Sequence, residues 1–503
     1  MEKLIQSDER SAFDLVWDVL VVGAGPSGLF ASLALAVDST QRVLLIDAGP
    51  DVGERHRDAM GSDAKPSERA DYTMGVGGAG LFSDGKLCLS LEVGGGLKDE
   101  LASGEKYRLL ETITCVFETL LDNGTLNLAP DGRVAVARSL AEEVGLDFKF
   151  YPVLHIGTER CGDVIRSISE ILKRTGTTVL TGCELISLHE ASADHIKEAR
   201  VRLGGVEGVL RARRAVLGMG KVGAFRQQRI CEGLGIKTRS MPMYVGVRLE
   251  TRAEALRPLF ELSKDPKYSM AFPDGSKIKT HCATDEGQVL LLTYEGLPLA
   301  GGHNFHCART GRSGFSMLWD GVRWAEDSYR AALKLMAAIG GYTGGGLLVQ
   351  TLSDYRRGVA SSVASMQGIA LSNPACKPGD VRKFLPAEYF EKMDEFLERL
   401  RRLAPGILCE DSVLFAPSIE WWMRRVEVRG RHLETSCPGT YVCGDGSGWS
   451  QGIVHSAATG LLVAEGISGR KINRSTMQEF LRATCASPHS LAAGTCPTGD
   501  GSP

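Results

Sequence analysis

The segment Gly23-Ala24-Gly25-Pro26-Ser27-Gly28 has the glycine spacing that lets a backbone wrap around phosphate groups. An apolar run over residues 16–22 precedes it, and a helical run over residues 29–37 follows it. A second apolar run, residues 42–46, then ends at Asp47. A strand, a glycine turn, a helix and a second strand ending in an acid make up the βαβ unit that binds dinucleotides. The pattern therefore predicts a dinucleotide site, and a glycine turn that binds nothing is the alternative.

The residues of this unit have distinct roles in the prediction. Gly23 allows a tight turn, Gly25 lets the backbone approach a pyrophosphate, and Gly28 lets the helix pack closely on the strand. The helix that starts at Pro26 presents unpaired N–H groups and a partial positive charge to the phosphates. Asp47 can accept hydrogen bonds from ribose hydroxyls. We therefore expect Gly23, Gly25, Pro26, Ser27 and Gly28, together with Asp47, to form the cofactor site.

A second glycine motif, Gly444-Asp445-Gly446, follows a short apolar run near the end of the chain. Gly452-Ile453 and a helix of small residues come next. This arrangement resembles the C-terminal flavin motif of the glutathione-reductase-like FAD proteins. In those proteins the aspartate, here Asp445, binds a ribityl hydroxyl, and the start of the following helix faces the pyrimidine edge of the flavin. The resemblance implies FAD, because an NAD-binding domain has no use for a second motif of this kind.

Two runs between these motifs complete the predicted cofactor domain. Residues 179–185, which include Cys183, alternate like a strand, and residues 213–220, which include Gly218, close a β-meander. In related FAD proteins the first run passes the adenine and the second returns the chain to the cofactor. The segment 218–223 also fits G-x-G-x-x-G and could mark a separate NAD(P)H site. It lacks a third strand ending in an acid about 20 residues later, which favours the return strand.

The loop at residues 74–87, MGVGGAGLFSDGKL, is rich in glycine. Glycine weakens helices and strands, so the loop is predicted to contact a ligand rather than its own core. Lys86 near the N1–C2=O edge of a flavin would stabilise the anionic reduced form, and a pair formed within the loop by Asp84 and Lys86 is the alternative. The loop residues expected to contact the cofactor are Gly78, Gly80, Ser83, Asp84 and Gly85.

Two histidines are candidates for proton transfer, because the unperturbed pKa of imidazole lies near neutrality. His455 lies one turn into the helix after Gly452, and His303 lies in the central part of the chain. For His455, a helix-face histidine bonded to a carbonyl is the alternative. Glu420 and the two tryptophans that follow it could line a pocket or pack in a core.

The residues His281, Cys282, His303, His306 and Cys307 have side chains that could ligate a metal. The H-x-x-H-C pattern lacks the paired spacing of structural zinc sites, and the two halves of the group lie about 20 residues apart. We therefore predict no metal site. A role for His303 or His281 in a substrate pocket is the favoured interpretation.

With these residues placed, the chain resembles the bacterial family of FAD-dependent, or NAD(FAD)-utilizing, dehydrogenases over most of residues 15–470. The resemblance implies an α/β fold in which a Rossmann-type, glutathione-reductase-like FAD-binding domain carries an inserted α+β substrate domain. Two departures are Asp47, where the family usually has Glu, and residues 303–319, which differ from its usual serine- and asparagine-rich version. The segments that carry the resemblance are GVGGAGLFSDGKL, LHIGTE at 154–159, GVRLE at 246–250, HCATDEGQVL at 281–290 and YVCGDGSGWSQGI at 441–453.

The overall composition excludes several classes of protein. With 58 basic and 61 acidic residues in 503, the chain has no electrostatic footprint for nucleic acid or an anionic membrane. No apolar run approaches the roughly 18 residues that span a bilayer, and residues 1–17 do not resemble a signal peptide. The 13 cysteines are odd in number and contain no C-x-x-C, which favours free thiols in a reducing cytoplasm. We therefore expect a cytoplasmic protein.

The predicted domain organisation is discontinuous. A mainly helical insertion and a substrate domain interrupt the FAD-binding domain, and a Ser/Pro/Gly/Thr-rich tail follows it. The FAD-binding domain is expected at residues 15–95, 150–240 and 405–470, the insertion at 97–148, the substrate domain at 241–400 and a disordered tail at 472–503.

The predicted function is oxidation of a small organic substrate by FAD, with hydride passing to flavin N5 as in a dehydrogenase or oxidase. A flavin monooxygenase or tailoring enzyme that needs NAD(P)H or a partner reductase is the alternative, and a flavin-bound sensor is a third. The expected partners are a small-molecule substrate and, as redox partner, NAD(P)H, oxygen or a reductase.

Overall fold

The computed structural model describes residues 11–37, 40–55, 73–83, 85–92, 94–121, 132–156, 158–191, 195–304, 309–323 and 327–485. Two large β-sheets organise this part of the chain, and each sheet has its own apolar core. Helices pack on both sheets, which confirms the predicted α/β fold class. Within the described residues, no helix is both long enough and apolar enough to cross a membrane.

The strands are β1 (Val16–Val22), β2 (Val43–Ile46), β3 (Lys86–Cys88), β4 (Asp147–Lys149), β5 (Val153–His155), β6 (Thr178–Leu180), β7 (Cys183–Glu190), β8 (Lys197–Leu203), β9 (Val206–Leu217), β10 (Thr238–Arg239), β11 (Met243–Arg252), β12 (Lys267–Ala271), β13 (Lys277–Thr284), β14 (Gln288–Tyr294), β15 (Leu297–His303), β16 (Arg312–Trp319), β17 (Leu347–Thr351), β18 (Cys376–Pro378), β19 (Val413–Trp421), β20 (Arg425–Val426) and β21 (Thr440–Val442).

The helices are α1 (Pro26–Ala36), α2 (Ser103–Leu121), α3 (Gly132–Glu143), α4 (Thr158–Arg174), α5 (Ala224–Gly233), α6 (Ala253–Leu262), α7 (Ser328–Thr343), α8 (Leu352–Arg357), α9 (Ala387–Leu403), α10 (Ile453–Ser468) and α11 (Arg474–Thr484).

The first sheet has seven strands in the order β6-β2-β1-β9-β8-β7, and β21 pairs with the C-terminal end of β9. The strands β6, β2, β1, β21 and the second half of β9 are parallel, whereas β7, β8 and β9 form an antiparallel meander. Helix α1 connects β1 to β2, since neighbouring parallel strands require a crossover. This unit is the Rossmann-type βαβ unit that the sequence predicted.

Helices α1 and α10 lie against each other beside the first sheet. A Cβ atom at Gly460 of α10 would lie only 2.2 Å from the carbonyl oxygen of Ser27 in α1, so glycine is required for this close approach. The contact joins the N-terminal glycine motif to the C-terminal one, although they are far apart in the chain.

The second sheet has eight strands in the order β18-β17-β19-β11-β16-β13-β12-β4. All neighbours are antiparallel except β17 and β18. One face is apolar and packs on helices that include α6, α7 and α9. In α9, the Tyr389 hydroxyl donates to the Met317 carbonyl and accepts from the Val247 amide, which fixes the helix on the sheet. A separate hairpin, β14–β15, accompanies this sheet.

Strands β19 and β4 belong to the second sheet, although the predicted domain boundaries place them outside the substrate domain. Strand β19 begins the segment 405–470 that was expected in the FAD-binding domain, yet it pairs with β11 and β17 in the second sheet. Strand β4, at the end of the predicted helical insertion, pairs with β12 of the same sheet. An apolar run does not specify its partner strand, because pairing depends on tertiary packing.

Helix α11 lies in the segment 472–503 that was predicted to be a disordered tail. Met477 and Leu481, four residues apart on one helix face, are fully buried, and α11 packs on α2. Arg474 donates to a carboxylate oxygen of Glu118 in α2 at 2.5 Å. The prediction was wrong for residues 474–484. The composition of this segment is polar, but the helix buries one apolar face on α2, and that contact stabilises it.

Replacing Leu481 with alanine should lower the free energy of unfolding by about 2–5 kcal/mol, the usual cost of removing a buried leucine side chain. The exposed neighbour Arg482 provides the matched control, and Arg482→Ala should cost far less. Urea denaturation of both variants gives the comparison. Equal, small losses would show that α11 does not contribute a docked apolar face.

Candidate functional site

Four strands of the first sheet end at the same level. In the register, Val22 lies opposite both Ile46 and Leu217, and Leu217 lies opposite Val442. The residues that follow these strand ends include Gly23, Asp47, Gly218 and Gly444, all predicted as site residues. The carboxyl edge of a parallel sheet is where open α/β folds bind ligands. The fold therefore brings both predicted motifs to one edge.

Glycine is required at two positions of the first turn. Gly23 has φ +98°, and a Cβ there would lie 2.3 Å from the Gly218 carbonyl oxygen. A Cβ at Gly28 would lie 1.8 Å from the Gly23 carbonyl oxygen. Gly25 differs, since the nearest atom to its Cβ position would be the Gly78 Cα at 3.9 Å. The backbone at Gly25 is therefore bare towards an open space.

The carboxylate of Asp47 is buried and bonded to three backbone amides. Its Oδ2 accepts from Ala24 at 2.7 Å, and its Oδ1 accepts from Gly49 at 2.9 Å and from Gly75 at 2.8 Å. Burial raises the pKa of Asp47 above its usual value, and the three amides oppose that rise. The side chain thus ties the first glycine turn to the loop that begins at residue 73.

That loop lies directly on the first glycine turn. The Gly77 amide donates to the Ala24 carbonyl at 2.8 Å. The guanidinium of Arg55 donates to the carbonyls of Val76 at 2.6 Å and Gly78 at 3.1 Å. A short 3₁₀ helix, Gly78–Phe82, follows. These bonds place Gly78 opposite Gly25.

Asp445 follows the end of β21 and is fixed by hydroxyl groups. Its Oδ1 accepts from Ser450 at 2.7 Å and from Ser456 at 2.9 Å. Gly452, with φ +90°, is the N-cap of α10 and has no side-chain capping bond. The N-terminus of α10 therefore opens beside the Asp445 carboxylate.

These elements surround one cavity of about 950 Å³. Its walls come from both sheets, the loop at 73–83 and the hairpin β14–β15. Many of the residues singled out in the sequence line it: Gly23, Gly25, Pro26, Ser27, Asp47, Gly78, Gly80, Ser83, Cys183, Gly218, His303, Asp445, Gly452 and Ile453.

Five of the predicted site residues do not line the cavity, and Asp84 lies outside the described residues. Gly28 and Gly444 are packed against neighbouring backbone and the Ser27 side chain, respectively. The Gly85 amide donates to the Ser83 hydroxyl at 3.2 Å. The other two are Lys86 and His455.

The amine of Lys86 donates to the carbonyl of Ala283 in β13. Lys86 therefore joins strand β3 to the second sheet. His455 is 2% exposed, and its ring lies on the backbone of Gly95, where a Cβ would come within 1.7 Å of the imidazole Nδ1. The structure thus places His303, but neither of these two side chains, on the cavity wall.

The hairpin β14–β15 forms an apolar wall of the cavity. Alternate residues of β14, namely Leu290, Leu292 and Tyr294, line it, together with Leu299 from β15. His303 ends β15 and is only 2% exposed. The wall therefore combines aliphatic side chains with one imidazole.

An aromatic cluster closes one side of this wall. The ring of Tyr294 meets Trp421 edge-on with centroids 4.6 Å apart, and Tyr329 stacks on Trp421 at 5.7 Å. The hydroxyl of Tyr294 donates to the carbonyl of Lys221, in the segment that follows β9. Trp421 thus lines the cavity and also packs in the core, whereas the sequence left these two roles as alternatives.

The group proposed as possible metal ligands is separated in the structure. His281 Nδ1 lies 3.2 Å from an oxygen of Glu420, and the ammonium of Lys279 lies 2.6 Å from the same oxygen. His303 belongs to the hairpin, and His306 and Cys307 lie outside the described residues. Among the residues that the structure describes, no set of three or more His, Cys, Asp or Glu side chains could hold a metal ion.

Burial and neighbouring charges change the pKa values of Glu420 and His281. Burial alone would raise the pKa of the Glu420 carboxyl, but His281 and Lys279 hold it lower, at about 2. Burial lowers the pKa of His281 to about 3, although the attraction of Glu420 opposes this shift. His281 is therefore neutral and Glu420 is ionised near neutral pH.

A second buried carboxylate, Asp265, lies near the first. It accepts a hydrogen bond from the Tyr151 hydroxyl at 2.6 Å, and the ammonium of Lys267 lies 3.3 Å away. Burial alone would raise the pKa of Asp265, but Lys267 and Lys86 hold it well below its usual range. Asp265, Lys267 and Tyr151 were not predicted as site residues. Lys267 and Ser269 alternate with apolar residues along β12, but this local pattern does not reveal the partners of Lys267.

No protein-family model matches the sequence. A curated protein of Clostridium beijerinckii, described only as an uncharacterized protein, is 28% identical over 162 residues, which make up 32% of this chain and 24% of that protein. The chain therefore spans about a quarter of the length of that relative.

Several solved structures are similar to the chain at low identity. CabE, an aromatic hydroxylase from angucycline biosynthesis, is 13% identical with a TM-score of 0.36 over 93% of this chain and 65% of its own. Pyridoxine 4-oxidase from Mesorbium loti is 12% identical with a TM-score of 0.41 over 93% and 99%. Glycine oxidase from Geobacillus kaustophilus is 14% identical with a TM-score of 0.38 over 91% and 95%. The chain spans about two thirds of CabE, and these likenesses assign no activity to it.

The lowered pKa of His281 predicts how the free energy of unfolding depends on pH. Its pKa is lower in the folded protein, at about 3, than the ordinary 6.5 of an unfolded chain, so the folded state binds fewer protons between these values. Stability should therefore fall as the pH drops from about 6.5 towards 5, and His281→Gln should lose part of that dependence. Urea denaturation at several pH values measures it. The exposed His189 is the control, and a pH dependence in His281→Gln equal to that in His189→Gln would contradict the prediction.

Proposed function

We propose that the protein is an FAD-dependent oxidoreductase that binds the dinucleotide along the carboxyl edge of its first sheet. One observation carries the proposal: two helix N-termini without side-chain caps, at Gly25 of α1 and Gly452 of α10, open on the same cavity. Such ends attract anionic and hydrogen-bond-accepting groups. A dinucleotide with a phosphate bridge and an electron-accepting ring suits two such ends in one cavity.

The residues present fit the cofactor. Gly25 and Gly78 leave bare backbone side by side on the cavity wall, and Pro26 and Ser27 lie at the start of α1, where the pyrophosphate would bind. Asp47 uses three of its roughly four acceptor positions on backbone amides, which leaves one for a ribose hydroxyl.

The adenine and flavin ends follow from the same placement. Cys183 and Gly218 line the cavity beside Asp47, where the adenosine would lie. Asp445 and the start of α10 at Gly452 and Ile453 would hold the ribityl chain and the pyrimidine edge of the flavin. Ser83 and Gly80 line the cavity and would face the ring system.

When bound, FAD supplies two-electron redox chemistry, accepting a hydride equivalent from an organic substrate. The chain's own residues do the remaining work. The apolar wall formed by Leu290, Leu292 and Leu299 excludes water and orients the substrate. His303, buried at the end of that wall, is the candidate to accept the proton that the substrate releases.

Flavin reduction tests the function and its class. The purified protein should carry FAD, or bind it when it is added, and an organic substrate should bleach the flavin under anaerobic conditions. Bleaching only by NADH or NADPH would instead favour a monooxygenase, and no bleaching by a broad panel would favour a non-catalytic flavoprotein. Failure to bind FAD would overturn the proposal.

Gly25→Ala provides a sharper test of the cofactor site. The nearest atom to the new Cβ would be 3.9 Å away, an ordinary contact, so the variant should fold normally. The methyl group would nevertheless project into the proposed pyrophosphate site and weaken FAD binding by about tenfold or more. Calorimetric titration of the apoprotein with FAD measures the effect. Gly104, which has no atom within 4 Å of its Cβ position and does not line the cavity, supplies the control Gly104→Ala. Equal affinities in the two variants would place the pyrophosphate elsewhere.

A further inference from the structure

We propose that the polar face of the second sheet binds a carboxylate group of the substrate, so that the substrate is an organic acid with an apolar body. Oxidation of this acid rests on the proposed function, whereas binding of its carboxylate depends on the polar face of the second sheet.

The pairing of β4, β12 and β13 places their polar side chains on one face of the sheet. Residues directly opposite each other in a sheet share a face, and alternate residues along a strand do so as well. Lys279 and His281 are alternate residues of β13, and Ser269 opposite Lys279 places Lys267 on the same face. Lys149 of β4 lies opposite Lys267. Helices pack against the apolar residues of the other face, such as Val245 and Met317.

Positive charge exceeds negative charge on this face. Four ammonium groups, those of Lys86, Lys149, Lys267 and Lys279, accompany the two carboxylates of Asp265 and Glu420. Around them, the three ammonium groups of Lys98, Lys106 and Lys277 accompany the two carboxylates of Glu92 and Asp320. The six central groups by themselves carry an excess of two positive charges, which an anionic ligand would offset.

The effect of this excess is visible in the protonation of the face. Burial and the repulsion of Lys98, Lys277 and Lys279 lower the pKa of Lys149. Burial also lowers the pKa of His281, and Lys267 and Lys279 add to the shift. Cations brought this close disfavour one another, so the binding of an anion here would relieve repulsion that the folded chain retains.

The polar face adjoins the cavity. Gly302 of β15 lines the cavity, and its backbone lies on the guanidinium of Arg248 in β11. Arg248 shares the polar face, because Ser316 lies opposite both Arg248 and His281. Part of the Lys279 side chain remains accessible, with 25% of it exposed. A ligand could therefore contact the ammonium group of Lys279 while its body lies along the apolar wall.

Glu420 shows the geometry that the face accepts. One of its oxygens lies within 2.6 Å of the Lys279 ammonium and 3.2 Å of His281 Nδ1. A carboxylate is thus already held by this pair from within the protein. Glu420 competes for Lys279 with any incoming carboxylate, so removing its charge should strengthen anion binding, whereas removing the charge of Lys279 should weaken it.

Benzoate, a carboxylate on a flat apolar body, is the probe, and benzamide is its uncharged counterpart. Calorimetric titration of the holoprotein should show benzoate binding at least about tenfold tighter than benzamide. Lys279→Met should weaken benzoate binding by about tenfold, and Glu420→Gln should strengthen it severalfold. The exposed Lys383 gives the control, and Lys383→Met should bind benzoate like the natural chain.

Several outcomes would overturn the proposal: equal binding of benzoate and benzamide, inorganic phosphate binding as tightly as benzoate, or weaker benzoate binding in Glu420→Gln. The last outcome keeps the test decisive if Lys279→Met fails to fold. Flavin content is measured separately by absorbance. Charge-dependent benzoate binding by a protein without flavin would contradict the proposed function and support this site, whereas bound flavin without benzoate binding would do the reverse.

Discussion

The buried carboxylate of Asp47 is the interaction on which the candidate site depends. Its bonds to the amides of Ala24, Gly49 and Gly75 join the first glycine turn, the end of β2 and the loop at residue 73. A carboxylate loses hydration when it is buried, and these amides compensate for that loss. Without this junction, Gly78 would not be held opposite Gly25, and the cavity would lack one wall.

The two sheets divide the work of the cavity. The first sheet contributes backbone, through glycine turns and helix N-termini at its carboxyl edge, and so offers N–H groups of fixed direction. The hairpin β14–β15 contributes an apolar wall with His303, and the second sheet presents a face rich in lysine around Glu420 and Asp265. Backbone N–H groups of fixed direction suit a cofactor, whose chemical groups do not vary. Side chains differ between proteins and can therefore select a particular substrate.

Local pattern predicted much of the first sheet correctly. The glycines at 23 and 28 are where the backbone turns sharply or packs closely, and the α/β class is confirmed. Roles of Lys86, His303 and His455 stay predictions, with His303 alone of the three on the cavity wall. The boundary near β19 and the tail at α11 could not be read locally, because an apolar run does not state which sheet or helix will cover it.

The sequence by itself determined the βαβ unit, the two glycine motifs and their order, since turn geometry and strand alternation are local properties of the chain. Only the tertiary structure decided that His281 and Lys279 meet Glu420, that Asp265 bonds Tyr151, and that the lysines of β4, β12 and β13 share one face. Those contacts join residues far apart in the chain, and they exist because sheet register, not sequence neighbourhood, determines which buried charges lie side by side.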